Sequence, residues 1–195
     1  MSKDQQPTEW VPRSKIVPGF NPRTTFAKEP LQELADDIAA NGIIQPLVVR
    51  PRGKKLELIA GERRLRATAP DLANLKTLPV VVRHDLEDAP LRDVLRLTYA
   101  ENKRRQDLNP MEEARACEAM LAECEGSVKV SAAEMGIKIN LFHVRMRLLT
   151  LPIGVRRKVE AGMLPVAHAD VLTQLNADEA RRDELLRVPT TDGVG

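Results

Sequence analysis

The chemistry this sequence could perform is most concentrated where a strand-like run meets a glycine and then a helix that begins with arginines. Leu56-Glu57-Leu58-Ile59-Ala60 leads into Gly61-Glu62-Arg63-Arg64-Leu65-Arg66-Ala67. The helix dipole favours acids, not arginines, at a helix start. Glycine lets the backbone approach a ligand closely, and the free amides of a helix start attract anions. Guanidinium groups add forked, charge-assisted bonds to phosphate. Gly61, Arg63 and Arg64 therefore point to a bound phosphate, or else to an ordinary strand-turn-helix with solvated arginines.

A second segment runs Ala100-Glu101-Asn102-Lys103-Arg104-Arg105-Gln106-Asp107-Leu108-Asn109-Pro110. Glu101 and Asn102 are hard oxygen ligands of the kind Mg²⁺ takes alongside phosphate oxygens. Arg105 follows Glu101 by about one helical turn and could reach the same phosphate, or pair with Glu101 on a plain surface helix. In the third segment, a helix over Ser127–Met135, a turn at Gly136 and a basic helix to Leu149 fit a helix-turn-helix. Lys138, Asn140, His143, Arg145 and Arg147 are its candidates for bases or phosphates. Ala132 is small where the helices would cross, and Phe142, Met146 and Leu149 would share the inward face.

The elements that must position these groups change character along the chain. Trp10–Val17 reads as a short strand. Pro30 favours a helix start, with Leu31, Leu34, Ala35 and Ile38 at helical spacing and a stop at Asn41-Gly42. Leu47–Arg50 and Leu56–Ala60 make a hairpin about Pro51-Arg52-Gly53-Lys54. Glu62–Ala69 is a short helix, and Leu78–Arg83 a strand whose Pro79 marks its beginning or a sheet edge. Beyond Asp85 every periodic run is helical: 92–104, 110–125, 127–135, 140–149, 153–161, 166–175 and 178–187. Strands first and helices afterwards predict an α+β fold. Residues 1–9 form a tail, 10–109 a small mixed domain, 110–187 a helical domain and 188–195 a loop or the start of a linker.

Composition narrows the classes. The chain has 195 residues, 43% hydrophobic and 30% charged, enough for a packed core and a soluble surface. No apolar run is long enough to span a membrane, the first ten residues lack the apolar segment of a signal peptide, and the expected compartment is the cytoplasm. The net charge is +2, but it is unevenly spread. From Arg50 to Arg66 there are seven basic residues against two acids, and from Lys138 to Lys158 six basic residues and no acid. Such runs suggest phosphate-bearing partners or two solvated faces. Cys117 and Cys124 are read as buried thiols, too far apart along a helix for a disulfide. His84, His143 and His168 have no ligand spacing. Five aromatic residues are poor material for stacking single-stranded bases.

Taken in order, these segments resemble the ParB/Noc family of partition proteins over about residues 13–187. Carrying the likeness are Asn21-Pro22-Arg23, Gly42-Ile43-Ile44-Gln45-Pro46-Leu47-Val48-Val49-Arg50, Gly61 through Ala67, Glu101-Asn102 through Arg105, and Asp107 through Ala114. Leu148 through Pro152, Gly162-Met163-Leu164 and Ala167-His168-Ala169 follow. The resemblance implies a CTP-dependent, slowly CTP-hydrolysing clamp that loads on double-stranded DNA at a palindromic, centromere-like site. It implies a homodimer, a ParA-type ATPase as partner, association with nucleoid or plasmid, and no membrane. By the same likeness Gly61, Glu62, Arg63 and Arg64 hold the triphosphate. Glu101 and Asn102 serve Mg²⁺ and Glu101 hydrolysis, Arg105 touches phosphate, and Arg23, Gly42 and Gln45 line the nucleotide site.

Departures from the family pattern suggest a divergent plasmid or mobile-element member. Arg104 replaces a usual Gln and Asp37 a frequent serine. Lys138, Asn140 and His143 stand where Ser and Arg are common, and Ala167 and Asp170 replace the usual Gly and Arg around His168. The family's C-terminal dimerisation domain has no counterpart, which implies a truncated chain or dimerisation through the nucleotide domain. Two other readings fit the same scaffold: a DNA-binding regulator without nucleotide use, and an ATP-using small-molecule kinase.

Overall fold

The computed structural model describes residues 7–23, 26, 28–105 and 108–174, with the backbone alone at Glu101, Arg104, Arg105 and Gln174. It divides into two compact units between Thr98 and Tyr99, within one helix. The fold is α+β, with the strands in the first unit and helices alone in the described part of the second.

In the first unit the expected hairpin forms from β3 (Leu47–Arg52) and β4 (Lys55–Ala60), with Gly53 at a φ of +59° in its turn. The five-stranded sheet is ordered β1-β5-β3-β4-β2. Trp10–Val17 is not one strand. Instead β1 (Thr8–Pro12) begins within the expected tail, where Thr8 and Glu9 pair with β5, and is followed by a 3-10 turn over Arg13–Lys15 and β2 (Ile16–Val17); the two strands occupy opposite sheet edges. Pro79 corrects a second expectation. Its strand β5 (Thr77–Val82) is interior, antiparallel to β1 and parallel to β3. The parallel register with β3 begins only at Val80, so the missing N–H of Pro79 falls before that ladder.

Leu47, Val49, Leu58, Leu78 and Val80 build the core beneath the sheet, with Ile16 and Val82. The helix α2 (Glu62–Ala67) adds Leu65 to it. Ala67 on its other side packs against Ala35 and Ile38 of α1 (Lys28–Asn41). Arg13 braces α2 from behind, donating from Nε to Thr68 Oγ1 at 3.3 Å and from Nη2 to the Leu65 carbonyl at 3.5 Å.

α3 (Leu91–Arg105) carries the chain into the second unit, followed by α4 (Pro110–Glu123), α5 (Val128–Glu134), α6 (Ile139–Leu148), α7 (Ile153–Glu160) and α8 (Val166–Gln174). The expected helix at 178–187 lies outside the described residues. Asn109 caps α4: its side chain accepts from the Met111 and Glu112 amides, and the Glu112 carboxylate accepts from the Asn109 amide. This reciprocal box fixes where α4 starts. α5 and α6 meet about Gly136 at a φ of +61°, a turn that favours glycine. Ala132 and Phe142 are fully buried there. Leu148 joins Met111, Leu151, Val159, Ala169 and Leu172 in the core that fixes α6 against α4 and α8.

Candidate functional site

The strand-to-helix junction of the first unit has the shape its residues suggested. Gly61 caps α2 at a φ of +107°. A Cβ there would stand 3.2 Å from Leu47 Cγ and 3.4 Å from Arg64 Nη2, so a side chain would crowd the arginine as well as strain the backbone. Arg64 reaches back to the loop before β3, its Nη1 donating to the carbonyls of Gln45 and of Pro46, the latter at 2.7 Å. Gly61, Arg64 and Gln45 are thus brought together, and the half-buried guanidinium is held by backbone oxygens. Arg63 is exposed and donates to the Pro30 carbonyl at 3.3 Å, near the start of α1. Glu62 is engaged by Arg66 at 2.7 Å, and the Arg66 guanidinium lies 4.0 Å from the centre of the Phe26 ring. Gly42 ends α1 at a φ of +74°, its amide donating to the Ile38 carbonyl. Arg23 follows an Asx turn in which its amide donates to Asn21 Oδ1.

The basic run around this junction is partly internal. Arg50 is 4% exposed and faces Glu57 directly across the hairpin register. Its Nε donates to Glu57 Oε2 at 2.8 Å, and its Nη1 to the carbonyls of Leu86 and Ala89. Arg52 takes the other Glu57 oxygen at 2.9 Å. Burial pushes the Glu57 carboxyl upward, but the hydrogen bonds and charges of Arg50 and Arg52 together outweigh it and hold the group below its ordinary value. Lys55 donates to the Ser14 carbonyl. These groups fasten the sheet.

On α3, Glu101 and Asn102 are neighbours and Arg105 follows four residues after Glu101. The side chains of Glu101 and Arg105 lie outside the described residues, while Asn102 is half-exposed. Two other residues of α3 tie it to the helix-turn-helix. Lys103 Nζ donates to the Gly136 carbonyl at 3.3 Å. The buried Tyr99 hydroxyl donates to Glu113 Oε1 at 3.2 Å, and Arg145 Nε donates to Glu113 Oε2 at 2.6 Å.

That pair separates the five helix-turn-helix candidates. Lys138, Asn140 and His143 are exposed. Arg145, read from sequence as a DNA contact, faces inward, its side chain 14% exposed on the Glu113 carboxylate. Arg147 is half-exposed and grips Asp170 of α8 with two bonds, Nε to Oδ1 at 2.7 Å and Nη2 to Oδ2 at 2.9 Å. The hydrogen bond with Asp170 raises the Arg147 pKa. Sequence reading missed Glu113 as a hub and Asp170 as a partner. The only signal for them was opposite charge 32 and 23 residues away from the arginines. Cys117 and Cys124 are free and buried, as expected. Desolvation first, and the Glu113 charge second, push the Cys117 thiol up to about 12.

A small mixed domain with an arginine-bearing strand-to-helix junction, joined to a helix-turn-helix, defines a class of two-module proteins. A family model described as the ParB N-terminal domain matches residues 2–99, and one described as the ParB HTH domain matches residues 106–191. The chain belongs to the ParB family of partition proteins.

It is 43% identical over 169 residues to the probable chromosome 1-partitioning protein ParB of Deinococcus radiodurans, covering 86% of this chain and 56% of that one. It is 41% identical over 170 residues to the chromosome-partitioning protein Spo0J of Thermus thermophilus, covering 87% of this chain and 61% of that one. The chain thus spans little more than half the length of these relatives. The crystal structure of C-terminally truncated ParB from Caulobacter crescentus, complexed to the centromeric parS site, matches with a TM-score of 0.54 and 30% identity over 91% of each chain. Among the described residues no helix is long and apolar enough to cross a membrane, and no three His, Cys, Asp or Glu side chains cluster as metal ligands.

Proposed function

We propose that this chain is the nucleotide- and DNA-binding part of a partition protein, a CTP-dependent clamp that loads on double-stranded DNA at a specific palindromic site. The observation that carries the nucleotide half is the Gly61 junction. It presents an exposed Arg63 and a carbonyl-braced Arg64 beside a glycine whose backbone admits close approach. In this reading Arg63 and Arg64 grip the triphosphate, Gly61 and Glu62 shape the loop around it, and Arg23, Gly42 and Gln45 border the nucleotide.

The α3 residues take the metal-dependent part. Mg²⁺ is bound through one or two protein oxygens together with phosphate oxygens and water. Consecutive acid and amide residues on α3, with Asn102 half-exposed, offer oxygens of that kind. Glu101 and Asn102 would hold the ion, which would neutralise phosphate charge during slow hydrolysis of CTP to CDP and phosphate. Glu101 is the catalytic carboxylate in this assignment, and Arg105 a phosphate contact. Lys138, Asn140 and His143 on the exposed side of α6 supply DNA contacts, with Arg147 beside them. The working assembly is a homodimer served by a ParA-type ATPase, at the nucleoid or a plasmid in the cytoplasm. The family membership and the parS-bound Caulobacter relative support the DNA half.

Calorimetry with CTP, ATP and GTP in Mg²⁺ tests the nucleotide half. CTP-selective binding that disappears in Arg63→Ala is expected. Absence of heat with every nucleotide, with and without DNA, would reduce the protein to a helix-turn-helix reader. ATP preference with phosphoryl transfer to a small molecule would make it a kinase.

A further inference from the structure

Asn140, His143 and Arg147 are spaced three and four residues apart on α6, so they share one face of the helix. The first two are exposed and the third is half-exposed, while Arg145 points to the other side. Arg147 therefore belongs to the presented stripe even though it is paired. The pairing is side-on: Asp170 takes Nε–H and one hydrogen of Nη2. Of five N–H donors, this leaves the two on Nη1 and the outer one on Nη2. Those form the end-on fork that fits O6 and N7 of guanine in the major groove.

Asp170 is well placed to aim that fork. It follows Ala169 and precedes Leu172, both buried in the core that also holds Leu148 of α6. The carboxylate is thus fixed to the same packed body as the arginine it grips. A free arginine loses rotamer freedom on binding, whereas one already held does not.

We propose that Asp170 is a specificity-determining residue, orienting the free fork of Arg147 toward a guanine of the DNA site. The proposal rests on the DNA-binding reading above, and its test separates the two. Selection from a pool of duplexes with a randomised central segment is run with the full chain, Asp170→Ala, Asp170→Asn and Arg147→Ala. The wild-type protein enriches a motif with a guanine at one position. Asp170→Ala keeps the rest of the motif but loses the guanine preference at that position about tenfold, and Arg147→Ala loses it at the same position.

The opposite physical effect has the opposite signature. If the carboxylate only neutralises Arg147, Asp170→Ala binds every duplex more tightly with the guanine preference unchanged, and the proposal falls. Enrichment of no motif by the wild-type protein removes the DNA-binding reading itself, and the assignment with it. Should Asp170→Ala fail to melt cooperatively, Asp170→Asn decides. It keeps the size and one acceptor oxygen, and a partial loss at the same position is expected; an unaltered preference overturns the idea.

Discussion

The two basic runs of the chain are alike in their count of cations but not of acids, seven basic residues with two acids against six with none, and they differ in how their charges are used. In the sheet unit, Arg50 and Arg52 of one strand meet Glu57 of the next, and Arg66 meets Glu62 one helical turn away. Partners are seven, five and four residues apart. In the helical unit, Arg145 and Arg147 find their acids 32 and 23 residues away. A hairpin register or a helix turn pairs charges locally, whereas a helix bundle pairs them through packing. In both runs some arginines are struts, while the exposed Arg63, which donates to the Pro30 carbonyl, is the one proposed above as a nucleotide contact. Counting basic residues cannot distinguish the two uses; their place in the element does.

Breaking the most buried strut gives the largest expected effect. Arg50→Ala leaves Glu57 with Arg52 and takes the guanidinium donor away from the Leu86 and Ala89 carbonyls. Breaking a buried pair costs about 3–5 kcal/mol, to be read from urea unfolding. Arg63→Ala, exposed in the same run, should change stability by less than about 0.5 kcal/mol while removing nucleotide binding. Equal destabilisation by both would erase the division between strut and ligand. The strut also has a pH signature. Because the folded Glu57 pKa is depressed, its contribution is present above the ordinary value of 4.5 and is lost as pH falls through the lower folded value. Glu57→Gln should flatten that acid limb of the stability curve.

The corresponding break in the helical unit is Glu113→Ala, which strands Arg145 and removes the acceptor of Tyr99. Both charged side chains retain some solvent, so the cost is smaller, about 2–3 kcal/mol. A double-mutant cycle with Arg145→Ala should show strong coupling; additive effects would mean the pair is incidental. Below that lies Gly61→Ala, which forces a φ of +107° on a residue with a Cβ and crowds Leu47 and Arg64. About 1–2 kcal/mol of strain is expected, with CTP affinity reduced alongside.

What was legible in the sequence follows the same line between local and long-range. The β3–β4 hairpin, the stop at Gly42, the Gly61 junction and the helix-turn-helix about Gly136 are all encoded in short contiguous segments, and each appears where its pattern placed it. Trp10–Val17 misled because nothing within it says that its two ends belong to opposite edges of a sheet. Pro79 misled because a strand's place in the sheet depends on partners far away in sequence. Arg145 and Arg147 alternate within one basic helix. Only the tertiary positions of Glu113 and Asp170 show that the first is turned inward and the second held on the presented face.

The smallest loss expected from breaking a buried contact tests how far the Glu113 hub reaches. Tyr99→Phe keeps the buried ring and deletes one hydroxyl, whose 3.2 Å bond is longer than the 2.6 Å bond of Arg145 to the same carboxylate. A net loss of about 1 kcal/mol is expected, well short of that for Glu113→Ala. Tyr99 is the single tyrosine of the chain, so its ionisation can be followed by absorbance without interference. Burial first, then the Glu113 charge, raise its pKa well above the ordinary 10.0. The phenol should therefore stay protonated through pH 10 while the unit is folded, its stabilisation intact below that value and lost as pH rises toward the folded one. Phenolate should appear only with unfolding. In Glu113→Gln, which removes the charge and keeps the packing, it should appear at lower pH. Ordinary titration of Tyr99 in the folded wild-type protein would show that the hub ends at Arg145, leaving α3 joined to the helix-turn-helix by Lys103 without the tyrosine.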